Sequence, residues 1–207
     1  MFLEILDKKR RRLLSQLSFL KKFGFYMAGG TALLLQLGHR KSLDFDFYTQ
    51  KKFDNKKLLR ELEQKLRNVT LIQTAEQTLI VRAEGVEMSF FHYPYPLIYP
   101  LLEINGVYLA SKEDIAAMKM IAISDRGTKR DFIDVYILLK EFSLEAIFQI
   151  LKKKYPNFNI YIALQGLTYF VDAEKEQKRK LYLFQNVSWS KVKKFLIEKV
   201  KNYQKNV

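Results

Sequence analysis

The sequence contains no cysteine, which excludes disulfide bonds and thiolate metal sites and fits a reducing cytoplasm. It has only two histidines, so a zinc centre with several histidine ligands is not expected. Long uncharged apolar runs are also missing, and we therefore expect neither a membrane-spanning segment nor a secretory signal at the N-terminus. These absences leave a globular, cytoplasmic protein as the expectation.

Acidic residues are scarce relative to basic ones. The chain has 22 Asp and Glu against 36 Lys and Arg, which gives a formal net charge of +14. This excess predicts an anionic partner, most simply the phosphates of RNA or DNA. The alternative is a lysine-rich composition of the kind that an AT-rich genome encodes.

Residues 25–49 contain an acidic strand pattern. Apolar and acidic residues alternate over Leu43–Phe47, which predicts a half-buried strand with both phenylalanines on one face. Asp44 and Asp46 then share the other face, with their Cα atoms about 6.6 Å apart. Two carboxylates at this spacing repel each other, and binding of a divalent cation such as Mg²⁺ is the usual reason for the pair. The alternative is an amphipathic strand with two solvated aspartates.

A double glycine precedes this strand. Gly29 and Gly30 follow a predicted strand over Phe25–Ala28, and Thr31 is predicted to be the N-cap of a helix over Ala32–Gln36. Glycine lets backbone N–H groups approach an anion closely, and the N-terminus of the following helix favours negative charge. The segment therefore predicts a phosphate-binding turn, with a plain tight turn as the alternative.

The order of these features resembles a known signature. A Gly-Gly pair, thirteen residues and then Asp-x-Asp resemble the nucleotidyltransferase superfamily, whose fold is that of polymerase β. The longer string GGTALLLQLGHRKSLDFDFYT is similar to one branch, the AbiEii/AbiGii toxin nucleotidyltransferases. The resemblance extends over most of the chain.

The element pattern and the resemblance together predict an α+β fold. Strands with an early helix come first and helices follow, which is the order of a mixed sheet flanked by helices with a helical C-terminal half. We predict a nucleotidyltransferase-like core at 1–110 and a helical half at 111–207 that completes the active-site cleft. The later predicted strands are Val69–Thr74, Thr78–Ala83, Val86–His92 and Val107–Ala110.

In the superfamily that this chain resembles, a third metal carboxylate usually comes from a neighbouring strand. The candidate strand here contains Glu87 and Ser89, which share one face. Members of the superfamily often have an acid at a position like Ser89, and this chain has serine. One possibility is that Glu87 acts as the third ligand. The other is that the site uses two aspartates and the phosphates of the substrate. Glu87 as an ordinary solvent-facing residue is a further alternative.

Lys119 is the sole charged residue in the middle of a predicted helix that is apolar nearly all round. Such a helix is buried, so the lysine must reach the surface or point into a polar cleft. In the toxin branch, a lysine in a segment like Asp114-x4-Lys119 is taken to contact nucleotide phosphates. The resemblance therefore implies the same role for Lys119.

The segment Arg130–Tyr136 resembles the RDxxD motif of the same branch. Asp131 and Asp134 are three residues apart and lie on one face of a helix. The alternative for Asp131 is a capping box with Thr128, three residues before it. Three roles stay open for Asp134: pairing with Arg130, orienting Lys119, and taking a proton from an attacking hydroxyl.

Two arginines are further candidates for phosphate binding. Arg40 lies between the glycine pair and the acidic strand, beside His39, which we interpret as a turn residue. Arg126 is near the end of the predicted helix that contains Lys119, where a cation also stabilises the helix dipole.

The resemblance implies a transferase that takes an NMP from an NTP with Mg²⁺ or Mn²⁺. An RNA, for instance a tRNA 3′ end, is the implied acceptor, and an antitoxin protein is the implied partner. The rival hypothesis is a catalytically silent module of the same fold that binds RNA or a protein through its basic surface. Ser89 and the net charge of +14 are the observations that support the rival.

Overall fold

The structure, a computed structural model, describes residues 1–175, 182–184 and 187–205. The chain divides into two compact units. The first comprises Met1–Gly38 and Ser42–Ser111, and the second comprises His39–Lys41 and the described residues from Lys112 onward. Within the described ranges, no helix has both the length and the apolar character needed to cross a bilayer.

The first unit is built on a seven-stranded mixed sheet. Its strands are β1 (Tyr26–Ala28), β2 (Phe45–Thr49), β3 (Thr70–Ala75), β4 (Thr78–Ala83), β5 (Val86–His92), β6 (Leu102–Ile104) and β7 (Val107–Leu109). Their order in the sheet is β3-β4-β5-β2-β1-β7-β6. β2 is parallel to β5 and β1 to β7, whereas the other neighbouring pairs are antiparallel. The predicted α+β class with a mixed sheet is confirmed.

Three α-helices accompany the sheet: α1 (Lys8–Ser15), α2 (Gly29–Leu37) and α3 (Asn55–Lys65). Short 3₁₀ turns at Leu3–Ile5 and Ser18–Phe23 flank α1. The carboxylate of Asp54 caps α3 by accepting hydrogen bonds from the backbone N–H groups of Lys56 and Lys57.

The two faces of β2 differ in burial, as the alternation predicts. Phe45 and Phe47 are fully buried, and Phe47 stacks on Phe90 of β5 with ring centroids 5.2 Å apart. Phe25 adds an edge contact to Phe90 at 5.3 Å. This apolar face belongs to the core of the first unit, so Asp46 lies on the opposite, half-buried face.

The second unit is helical, as predicted for the C-terminal half. Its helices are α4 (Lys112–Asp125), α5 (Lys129–Glu141), α6 (Leu144–Lys154), α7 (Ile160–Gly166), α8 (Val171–Lys175) and α9 (Trp189–Lys205). Side chains of Thr128, Ser143 and Asn159 cap α5, α6 and α7.

Candidate active site

The acidic strand lies near the middle of the sheet. Asp46 stands opposite Ala28 of β1 on one side and opposite Ser89 of β5 on the other. Asp44 directly precedes β2 and is exposed, so the strand begins two residues later than predicted. The half-buried position of Asp46 between two strands gives its carboxylate a defined place on the sheet.

Gly29 packs directly against this carboxylate. Its φ is +70°, a left-handed conformation that favours glycine. A Cβ added at this position would lie 2.9 Å from Asp46 Oδ2, closer than carbon and oxygen normally approach. Glycine is therefore required both by the backbone conformation and by the space, and the glycine turn and the acidic strand form one feature.

The prediction that Thr31 is an N-cap is wrong. α2 begins at Gly29 with Ala28 as its N-cap residue, because the chain turns into the helix immediately after β1. Thr31 lies in the first turn, is fully buried and donates its hydroxyl to the backbone carbonyl of Asp44. This bond ties the start of α2 to the acidic strand, and a contact between Thr31 and nucleotide stays a prediction.

The position expected for a third carboxylate is occupied by a hydroxyl. Ser89 is the β5 neighbour of Asp46, while Glu87 accepts a hydrogen bond from Arg82 at 3.1 Å. Among the described residues, no three acidic or histidine side chains come together as a metal-binding group. Two aspartates and a serine hydroxyl are nevertheless oxygen donors of the kind that hard divalent cations prefer, so the donor set fits Mg²⁺ or Mn²⁺.

In the second unit, Asp134 is the centre of a buried ion network. Arg40 donates to it from Nε at 2.6 Å and from a terminal nitrogen at 2.8 Å. Lys119 Nζ lies 2.7 Å from Asp134 Oδ2, and His39 Nε2 lies 2.7 Å from Asp134 Oδ1. The two-point contact between Arg40 and Asp134 joins residues 94 positions apart in the chain. Asp134 therefore pairs with Arg40 rather than with Arg130, and it orients Lys119.

Asp131 extends the network from the first turn of α5. It accepts hydrogen bonds from Lys119 Nζ at 2.8 Å and from the Thr128 hydroxyl at 2.6 Å. Arg126 Nε lies 3.3 Å from its second oxygen, and this arginine side chain is 64% exposed. Lys119 therefore bridges two carboxylates inside the helical unit, and Arg126 is the exposed cation of the network.

The charges in this network offset the effect of burial on its pKa values. Burial alone would raise the pKa of Asp131, but Lys119 and Arg126 lower it to about 2. The pKa of Asp134 is held well below its usual value by Lys119 and Arg40 against the same effect of burial. Burial would lower the pKa of Lys119, yet Asp134 and Asp131 outweigh it and the pKa is raised. All three groups are therefore ionised at neutral pH.

The lowered pKa values of Asp131 and Asp134 argue against either residue as the base that takes a proton from the acceptor hydroxyl. A general base works best when its pKa is near the working pH, and the pKa values of both aspartates lie far below neutral pH. The geometry supports positioning roles for Asp131 and Asp134. Arg40 is likewise buried on Asp134, so its predicted phosphate contact stays a prediction, as do those of Lys119 and Arg126.

Sequence reasoning missed two buried groups in the second unit. His39 was interpreted as a turn residue, but it is buried against Asp134. Lys154 and Asp114 form a fully buried pair at 2.7 Å between α6 and α4. The Asp114-x4-Lys119 pattern offered one signal for Asp114, since α4 carries both residues. Nothing local to Lys154 distinguishes it from the other lysines at the end of α6.

Acid is expected to weaken the second unit through Asp131. Its folded pKa of about 2 lies below the value of 3.8 for an unperturbed aspartate, so the unfolded chain binds more protons between these values. The stabilisation is complete above about pH 4 and is lost as the pH falls towards 2, by about 2 kcal/mol in all. Urea unfolding of the wild type and Asp131→Asn across this range should show the difference in free energy shrinking. A difference that stays constant would contradict the assignment.

The family model described as nucleotidyl transferase AbiEii toxin, type IV TA system, matches residues 12–100 and 85–199. An uncharacterized protein of Aquifex aeolicus (strain VF5), aq_aa25, is 39% identical over 188 residues, covering 88% of this chain and 89% of that protein.

Two solved structures share the fold. JHP933 from Helicobacter pylori is 20% identical with a TM-score of 0.59, over 96% of this chain and 91% of that chain. The nucleotidyltransferase toxin MenT4 (Rv2826c) from Mycobacterium tuberculosis H37Rv is 14% identical with a TM-score of 0.54, over 91% of this chain and 80% of that chain. With the family model matched from residue 12 to residue 199, the chain belongs to the AbiEii family of nucleotidyl transferase toxins.

Proposed function

We propose that the protein transfers an NMP from an NTP to a hydroxyl group of an RNA, with Asp44 and Asp46 as ligands of Mg²⁺ or Mn²⁺. One observation carries the proposal: the backbone of Gly29 lies against the carboxylate of Asp46. The glycine turn, which suits phosphate, is thus adjacent to a carboxylate in the first unit. That carboxylate suits a divalent cation, which in turn binds phosphate. Neither feature alone would identify the reaction.

The start of α2 supplies the phosphate contacts. Backbone N–H groups of the first turn have no partner within a helix, and the helix dipole places partial positive charge there. The space that a Cβ would occupy at Gly29 is taken by the Asp46 carboxylate. Gly30 adds no side chain to the first turn, so phosphate oxygens approach its backbone closely. A divalent cation bound by Asp44 and Asp46 would neutralise phosphate charge in the same place.

The transfer is an in-line displacement at phosphorus. The acceptor hydroxyl oxygen forms a bond to the α-phosphorus while the bond to the oxygen that bridges to the β-phosphate breaks. Pyrophosphate leaves with that bonding pair, and the proton of the acceptor hydroxyl passes to solvent water. Positioning and charge neutralisation supply most of the acceleration in such reactions.

We further propose that the ion network of the second unit holds cations for phosphate. Arg126 is the exposed cation of this network, and its ion pair with the buried Asp131 restrains the guanidinium group. Lys119 lies inside the network, where it keeps both carboxylates ionised and fixes the position of α5 relative to α4. Asp134 and Arg40 stabilise this arrangement.

An RNA acceptor is supported by charge, since a net charge of +14 attracts a polyanion strongly. A toxin role and an antitoxin partner are supported by membership of a toxin family and by the likeness to MenT4. A tRNA 3′ end is one acceptor of the required chemistry.

The test supplies each of the four NTPs, labelled at the α-phosphate, together with total RNA and Mg²⁺. We expect label to enter RNA from at least one NTP, and we expect excess EDTA to abolish incorporation because the acidic pair requires a cation. Incorporation that continues undiminished in EDTA would overturn the metal assignment. Tight binding of RNA without any incorporation is the result that the catalytically silent module predicts.

A further inference from the structure

The sheet face that carries Asp46 also carries a row of aromatic rings. Tyr48 follows Asp46 by two residues on β2, and its neighbours in register are Tyr26 on β1 and Phe91 on β5. This row lies two residues, or about 6.6 Å, along the strands from the row that contains Asp46 and Ser89. All of these side chains lie on one face because strand partners and alternate residues point the same way.

The rings continue beyond the end of β5. Tyr48 contacts Phe91 at 5.4 Å and Tyr93 at 5.3 Å between ring centroids, and Tyr93 contacts Tyr95 at 4.9 Å. We call Tyr48, Phe91, Tyr93 and Tyr95 the aromatic row. The first three are half-buried, and Tyr95 is 41% exposed. Solvent exposure within the row is therefore greatest at Tyr95.

Packing of the core accounts for only part of these rings. Most of the core of the first unit is on the opposite face of the same strands, where Phe47, Met88 and Phe90 are fully buried. On the near face, the fully buried Tyr26 stacks on Tyr48 with ring centroids 6.2 Å apart, whereas the rings of the aromatic row stay partly exposed. Aromatic side chains on the less buried face expose apolar area to solvent, which is unfavourable unless something covers it.

The chain holds the open end of the row in place. Residues 93–100 read YPYPLIYP and contain three of the four prolines in the sequence, which restrict the backbone. The Tyr93 N–H donates to the Thr49 carbonyl at 2.7 Å, and Gln50 Nε2 donates to the Tyr95 carbonyl at 2.9 Å. Rings fixed in this way lose little freedom when a ligand binds.

We propose that the aromatic row stacks on unpaired bases of the acceptor RNA strand. Bases present flat π-surfaces that stack on aromatic side chains with little regard to sequence. The exposed lysines Lys51 and Lys52 follow β2 after Gln50, and the whole chain carries a charge of +14, so the surroundings favour a polyanion. This inference rests on the proposed function for the identity of the strand as an acceptor.

The position of the row fits that role. A base stacked on Tyr48 or Phe91 is separated from Asp46 by one step along the strands, about 6.6 Å, a distance that one nucleoside spans. The terminal sugar hydroxyl of that strand then lies near the acidic strand, while preceding bases extend towards Tyr93 and Tyr95. The row would therefore select single-stranded ends over duplex, whose bases are stacked on one another.

The test measures equilibrium binding without NTP. The probe is a fluorescein-labelled single-stranded oligoribonucleotide, compared with the same oligonucleotide annealed to its complement. We expect Tyr95→Ala to weaken single-strand binding about tenfold and to leave duplex binding unchanged, because duplex affinity depends on phosphate contacts. Tyr95→Trp should retain single-strand affinity. Tyr161→Ala is the matched control, since Tyr161 is an exposed tyrosine of the second unit, 64% accessible, and we expect no change.

The outcomes separate this inference from the proposed function. Loss of single-strand affinity in Tyr95→Ala supports the row even if no label transfer is ever detected. Unchanged affinity overturns the row even if transfer is demonstrated, and so does an equal loss for single strand and duplex. Loss of NTP binding with normal oligonucleotide binding also overturns it, because the row would then hold the incoming nucleotide. The melting temperature of each variant confirms that it is folded.

Discussion

Asp46→Asn is expected to reduce nucleotide transfer on the order of a thousandfold, as removal of one stabilising electrostatic contact does in other enzymes. It should also abolish the rise in melting temperature that Mg-NTP produces in the wild type. In the absence of metal, the variant should melt at the same temperature as the wild type or higher. The substitution removes one of two neighbouring negative charges and keeps the side chain nearly the same size, so Gly29 still packs against it.

Asp54→Asn provides a contrast within the same unit. Asp54 accepts two backbone N–H groups at the start of α3 and has no place in the proposed site. We expect this variant to transfer nucleotide normally and to melt close to the wild-type temperature, because asparagine also caps helices. A clear drop in melting temperature for Asp46→Asn, with transfer intact, would make the acidic strand a structural element and contradict its catalytic role.

Asp134→Ala is expected to have the opposite pattern, a large loss of stability. The carboxylate is fully buried and holds Arg40 and Lys119, so its removal leaves two cations buried without their main partner. Breaking buried ion pairs in this way costs about 3–5 kcal/mol. Urea unfolding followed by circular dichroism measures the loss, since the second unit is helical.

The control for this variant is Asp172→Ala. Asp172 is an exposed aspartate of α8, and substitutions at exposed positions usually change stability by about 0.5 kcal/mol or less. Equal stability of the two variants would mean that the network contributes nothing to folding. The proposal that Asp134 positions Lys119 and Arg40 would then lose its physical basis.

Local sequence patterns predicted most of the first unit. The structure keeps the predicted alternation of buried and half-buried residues along β2. The phenylalanine face of this strand packs into a core cluster that contains Phe25 and Phe90. The strands β4 and β5 have the bounds that the sequence predicts, since Glu84 and Gly85 form a turn with positive φ between two runs of strand-forming residues. The predicted start of α2 is three residues too late, because glycine is a poor helix former and its role here is set by the contact with Asp46.

The ion network could be predicted only in part. The sequence singles out three of its members: Asp131 and Asp134 through their motif, and Lys119 through its isolation in an apolar helix. In the structure Lys119 forms ion pairs with both aspartates. The partner of Asp134 could not be inferred, because Arg40 is 94 positions away and belongs to a segment that joins the helical unit. A nearby arginine at a helical spacing, Arg130, was the natural alternative, and local spacing carries no information about tertiary contacts.

Ser89 is the point on which the catalytic and silent hypotheses differ most. It stands beside Asp46, where an acid is often found in the superfamily. If two aspartates and the phosphates of the substrate suffice, transfer proceeds with serine at this position. If they do not, the fold binds its ligands without reacting.

The most direct test of nucleotide transfer follows the α- and γ-phosphates of one NTP in the same reaction with RNA. The account predicts that label from the α-phosphate enters RNA, that an equal amount of pyrophosphate is released, and that γ-label does not enter RNA. Both quantities should fall together in Asp46→Asn. Entry of γ-label into RNA, or consumption of NTP without incorporation of α-label, would contradict it.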